Sequence, residues 1–100
     1  MSNQEIATTI LNQLGGFGRL NAMLGIKDLF AVENGVRFKI KVRGAKANYI
    51  KITLNSLDLY DVELGKLWGS KYKVIKKAES IYVDMLKDLI EDTTGCYLSL

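Results

Sequence analysis

Histidine and proline are both missing from this chain, and cysteine occurs once. Without histidine, the commonest general base and metal ligand are gone. A single cysteine, Cys96, can form no internal disulfide, and thiolate zinc or iron–sulfur sites within one chain are excluded in practice. A lone thiol also fits a reducing compartment. Turns must be made by Gly, Asn, Asp and Ser. Long apolar runs are lacking too: the longest span a few residues, far short of the roughly 20 of a membrane helix. Residues 1–5 carry neither the basic segment nor the following apolar stretch of a secretory leader. These absences point to a cytoplasmic protein with no membrane segment, no cofactor, no metal and no enzymatic activity.

What is present suits one globular domain over residues 1–100. The hydrophobic share is 48% and the charged share 25%, both ordinary for a folded domain. A chain of this size buries roughly 60–70% of its unfolded surface and needs no covalent staple. The net charge of +3 hides a strong asymmetry. Residues 37–77 hold eleven Lys/Arg against Asp58, Asp61 and Glu63, whereas residues 78–100 hold Lys87 against five acids.

The most informative stretch is Val36-Arg37-Phe38-Lys39-Ile40-Lys41-Val42-Arg43. Strict alternation of apolar and cationic residues is the pattern of a strand with one buried and one basic face. Upstream, Ser2 and Glu5 form a capping box for a helix whose stripe is Ile6, Ile10 and Leu14, ended by Gly15-Gly16. A short helix over 19–24 follows, closed by Gly25. Asn34-Gly35 marks a hairpin between strands 29–33 and 36–43. A three-residue loop, Glu33-Asn34-Gly35, would pair Val32 with Val36 and Phe30 with Phe38, placing every large apolar residue on the core side. Strands over 49–54, 59–68 and 71–76 come next, with Lys51 opposite Glu63 and Thr53 opposite Asp61. A helix from residue 78 or 79 to 93, with Ser80 as its cap, completes the pattern, and Gly95 stops it. The expected fold is α+β: an antiparallel meander of four to five strands, with the N-terminal and C-terminal helices packed on one face.

Three features could carry function. Arg37, Lys39, Lys41, Arg43, Lys46 and Lys51, with Tyr49 among them, are candidates for a nucleic-acid surface, since sheet readers use cations for phosphates and aromatics for bases. The plain alternative is a solvated face kept soluble by lysine. Leu67, Trp68 and Tyr72 around the Gly69-Ser70 turn are candidates for a partner-binding patch, unless Gly65 re-phases the strand and buries them. Asp84, Asp88, Glu91 and Asp92 form an acidic helix face, a rival working surface. Weaker signals have structural explanations. Gly15-Gly16-Phe17-Gly18 lacks the preceding strand of a phosphate loop. The Asp58, Asp61 and Glu63 set reads as a turn residue and two sheet positions.

The segments Asn48-Tyr49-Ile50-Lys51-Ile52-Thr53-Leu54-Asn55 and Asp58-Leu59-Tyr60-Asp61-Val62-Glu63, with Ile81-Tyr82 and Thr94-Gly95-Cys96-Tyr97-Leu98-Ser99-Leu100, resemble a family of small uncharacterised proteins. Its members are encoded by bacteriophages, prophages and mobile elements. Leu11-Asn12-Gln13-Leu14-Gly15-Gly16 and Asn34-Gly35 extend the likeness over nearly the whole chain. The resemblance implies a gene of that origin expressed in bacterial cytoplasm, and no catalytic residues. The expected function is thus a non-enzymatic accessory that binds a protein or a nucleic acid. The alternative is a small structural or assembly component of a phage particle, forming a homo-oligomer through the Trp68 turn and the apolar tail at 97–100.

Overall fold

Alternation along the central strands decides the architecture. The computed structural model describes residues 2–96. The elements are α1 (Asn3–Gln13), α2 (Phe17–Leu24), β1 (Ile26–Val32), β2 (Gly35–Ile40), β3 (Tyr49–Leu54), β4 (Tyr60–Trp68), β5 (Lys71–Ile81) and α3 (Val83–Thr94). The five strands form one antiparallel sheet in chain order, so the expected α+β meander is present. Val36, Phe38 and Ile40 of β2, Ile50 and Ile52 of β3, and Tyr60, Val62 and Leu64 of β4 all point to one side. There they meet Ile6, Ile10 and Leu14 from the α1 region, Leu20 and Leu24 of α2, and Leu86 and Ile90 of α3 in a single core. All three helices therefore cover one face, and the other is left open.

Local signals explain most boundaries. Ser2 caps α1 by accepting from the Glu5 amide at 3.2 Å. Asn3 of α1 accepts from the Asn34 amide at 2.9 Å, so the first helix is tied to the first hairpin turn. Tyr60 donates its hydroxyl to Gln13, which joins α1 to β4. Asn48 acts as an extra rung of ladder: its side chain donates to the Leu67 carbonyl and accepts from the Leu67 amide. The register of β3 against β4, with Lys51 opposite Glu63 and Thr53 opposite Asp61, is as the pattern predicts.

Four expectations are corrected. The first hairpin pairs Val32 with Gly35, Ala31 with Val36 and Phe30 with Arg37, so its loop is Glu33-Asn34 and Phe30 lies outside the core. Asn34 supplies the positive φ of the turn (60°), a conformation asparagine tolerates, and Gly35 belongs to the ladder. A Cβ at Gly35 would stand 2.0 Å from the Ile52 carbonyl oxygen, which explains why a glycine occupies the strand. Secondly, β2 stops at Ile40, because the Lys41 amide turns to the Leu24 and Gly25 carbonyls at the end of α2. Thirdly, the second helix begins at Phe17, with Gly16 rather than a side chain at its N-cap. Finally, β5 runs to Ile81 and α3 starts at Val83. Ser80 is not a helix cap; it is an irregular strand residue at φ 55°, with its amide held by Asp61. Pairing of Ile81 with Tyr60 outcompetes an earlier helix start, and Tyr82 and Met85 are left exposed.

Replacing Gly35 with Ala is expected to destabilise the fold by about 1–3 kcal/mol, because the new Cβ meets backbone that cannot swing aside. A Gly69→Ala control has open space, so its cost is confined to the backbone strain of its positive φ (63°). Urea unfolding of both variants measures the difference.

Candidate binding surface

The face without helices is built from rows that cross the strands. In one row, Phe30, Arg37, Lys51, Glu63 and Lys77 lie side by side from β1 to β5. The next row holds Lys27, Lys39, Tyr49, Gly65 and Val74. Side chains of neighbouring strands stand about 5 Å apart, so the first row is a continuous polar and aromatic stripe and the second runs from lysines through Tyr49 to Val74.

Particular contacts organise it. The Arg37 guanidinium lies over the Phe30 ring at 5.1 Å from its centroid, and Phe30 remains 52% exposed. Such a cation–π contact contributes about 0.5–1 kcal/mol at an exposed site and holds both groups in place. Lys39 pairs with Asp28 at 3.1 Å. Tyr72 of β5 lies across Gly65, where a Cβ would stand 2.3 Å from its ring, and meets Tyr49 edge-on at 5.3 Å. Its hydroxyl donates to Glu63 at 2.8 Å. Glycine within a strand thus receives an aromatic lid from the strand beside it.

Of the seven residues expected to form a basic patch, Arg37, Lys39, Tyr49 and Lys51 share this face. Lys41, Arg43 and Lys46 do not extend it. They belong to the connection between β2 and β3, whose backbone is tied to the helix layer through Lys41 to Leu24 and Lys46 to Thr94. The expected partner patch also divides. Leu67 and Tyr72 pair on the open face, whereas Trp68, paired with Lys71, lies on the opposite side and is 48% exposed. Gly65 leaves the phase of β4 unchanged; the extra residue is Ile75 on β5, between the pairs Leu64 with Lys76 and Gly65 with Val74. Tail residues 97–100, the other suggested contact, lie outside the described residues.

The structure adds Phe30, Lys27 and Lys77 to the face, so it carries three aromatics where the alternation of β2 and β3 alone suggested one. Phe30 was hidden by the assumed hairpin loop. The available signal was Gly35, which fits a crowded ladder position as well as a turn.

A pocket of about 300 Å³ opens on this face over β3, β4 and β5, lined by Lys51, Thr53, Asp61, Glu63, Lys77 and Glu79. Two of its three carboxylates are engaged by neutral donors. Asp61 accepts from the Asn55 side chain and the Ser80 amide, and Glu63 accepts from Tyr72. Among the described residues no group of three or more His, Cys, Asp or Glu is arranged to hold a metal ion. No helix among them is long and apolar enough to cross a membrane. In comparisons with known proteins, no family model, curated protein or solved structure matches the chain.

Burial, the hydrogen bond to Glu63 and the charges of Glu63 and Tyr49 push the Tyr72 hydroxyl well above the ordinary tyrosine value. A folded-state value above the unfolded one favours the neutral phenol, so this contribution is present below about pH 10 and lost as pH rises through the folded-state value. Spectrophotometric titration should therefore show Tyr72 ionising later than an ordinary tyrosine, together with Tyr60, whose hydroxyl burial also pushes up. Glu63→Gln should bring the Tyr72 step down toward the others.

Proposed function

We propose that the chain is a non-enzymatic binding module whose open sheet face takes single-stranded nucleic acid. The observation that carries this reading is the placement of Phe30 and Tyr49 on one exposed face with Arg37, Lys39 and Lys51 between and beside them. One strand, β2, lies between β1 and β3, so two strand spacings set the aromatic stations about 10 Å apart across the sheet, with cations across the gap. That arrangement offers base stacking at two points and phosphate contacts along the track joining them. A duplex hides its base faces, so the aromatics would contribute only to an unpaired strand. The cations Lys27, Arg37, Lys39, Lys51 and Lys77 outnumber Asp28, Asp61, Glu63 and Glu79 on and around the face. Asp28 is already matched to Lys39. Work in bacterial cytoplasm, from a phage or mobile-element gene, is the setting that the sequence resemblance supplies for this role.

Fluorescence anisotropy with labelled single-stranded and duplex DNA and RNA tests the proposal. Single strands should bind more tightly than duplex, with affinity falling as salt rises at a logarithmic slope of about −2 to −3, for three to four phosphates contacted. Phe30→Ala should weaken binding by about 1–3 kcal/mol through lost stacking. Arg37→Glu with Lys51→Glu should abolish it, while Lys46→Glu, off the face, should change it little. Equal affinity for duplex, or indifference to Phe30→Ala, would overturn the stacking mechanism. No binding at low salt would overturn the function.

A further inference from the structure

The fifth strand carries a second surface. β5 is the longest strand, eleven residues, and it ends the sheet order, so one of its backbone edges has no strand beside it among the described residues. Every residue from 71 to 77 is exposed. Facing follows from its pairing with β4. Lys71, Lys73 and Lys76 pair with Trp68, Lys66 and Leu64 on the helix side, whereas Tyr72 and Val74 pair with Leu67 and Gly65 on the open side. The edge therefore presents one basic row and one apolar row.

We propose that this edge docks an extended segment of another protein in which acidic and apolar side chains alternate. Strand addition satisfies the unpaired backbone groups of β5. Acids at alternate positions of the incoming strand would face Lys71, Lys73 and Lys76, and the apolar residues between them would lie beside Tyr72 and Val74. A second copy of this chain is the wrong occupant. Antiparallel self-pairing of β5 would align four lysines from each strand, Lys71, Lys73, Lys76 and Lys77, with Glu79 the one acid on each. Like charges across a strand pair are destabilising. The lysines and the Ile75 bulge thus guard the edge against itself and against neutral strands, and an acidic strand is the partner they do not repel. The other edge is less suited: β1 has seven residues, and its register breaks between Lys27 and Phe30 at Asp28.

The test is an NMR titration of isotope-labelled protein with a capped ten-residue peptide alternating glutamate and valine. Amide shifts concentrated in β5 are expected. Lys73→Glu with Lys76→Glu, a double variant at exposed positions whose melting curve should be unchanged, should bind roughly tenfold more weakly or worse. It should also gain affinity for the peptide in which lysine replaces glutamate. Arg37→Glu with Lys51→Glu, on the opposite row, should leave peptide affinity intact while removing nucleic-acid binding, so either proposal can fail alone. Three results would overturn the docking proposal: no shifts in β5, equal binding of an unpatterned polyglutamate, or a dimer in sedimentation whose interface is β5.

Discussion

Everything on the open face of this domain depends on burial of one side of the pleat. Strict alternation in β2, β3 and β4 sends Phe38, Ile50, Ile52 and Leu64 under the helices with almost no exposure. Burying side chains of this size contributes about 1.5–3 kcal/mol each before chain entropy is set against it. The same alternation forces the intervening residues onto the other face, so Arg37, Lys51 and Glu63 are aligned by core packing and require no contacts of their own to be in register. The open face is thus a by-product of the core, and a one-residue slip would exchange the two.

Polar side chains then finish what strand pairing leaves incomplete. Asn48 supplies a rung beyond the end of β3, and Asn55 organises the β3–β4 connection by accepting from the Leu57 and Leu59 amides. Asn55 also donates to Asp61 and Ser80, which ties the connection to the irregular end of β5. These links fall at the two ends of the central strands, where pairing would otherwise fray. They also explain why three nearby carboxylates do not act together: one sits in the turn at positive φ, one is committed to Asn55 and Ser80, and one to Tyr72.

The order of elements, the helix-covered face and the register of β3 on β4 could be read from the chain because alternation and turn residues agree there. The first hairpin could not. Asn34-Gly35 is compatible with several loops, and the choice among them depends on how closely Ile52 approaches Gly35, a contact some seventeen residues away. Pattern logic favoured burying Phe30; the structure puts Ala31, itself exposed, on the helix side beside Val36 and lets Arg37 shelter the larger ring. The end of β5 was illegible for a related reason. A helical stripe and a strand pair compete for Ile81, and the winner is set by Tyr60 across the sheet. Of the surface, Arg37, Lys39, Tyr49 and Lys51 were legible from alternation, whereas the meeting of Tyr49 with Tyr72 required the lid over Gly65.

Thr94 closes the molecule at the end of α3. Its hydroxyl donates to Ile90 and accepts from the Cys96 amide, and its carbonyl accepts from Lys46 in the β2–β3 connection. Cys96 is buried against this junction, and it is the one thiol in the chain. A reagent reaches that largely buried sulfur faster when the junction opens. The protein therefore carries its own clock: the rate at which Cys96 is modified in the native state reads out how often this junction opens, with no second thiol to compete.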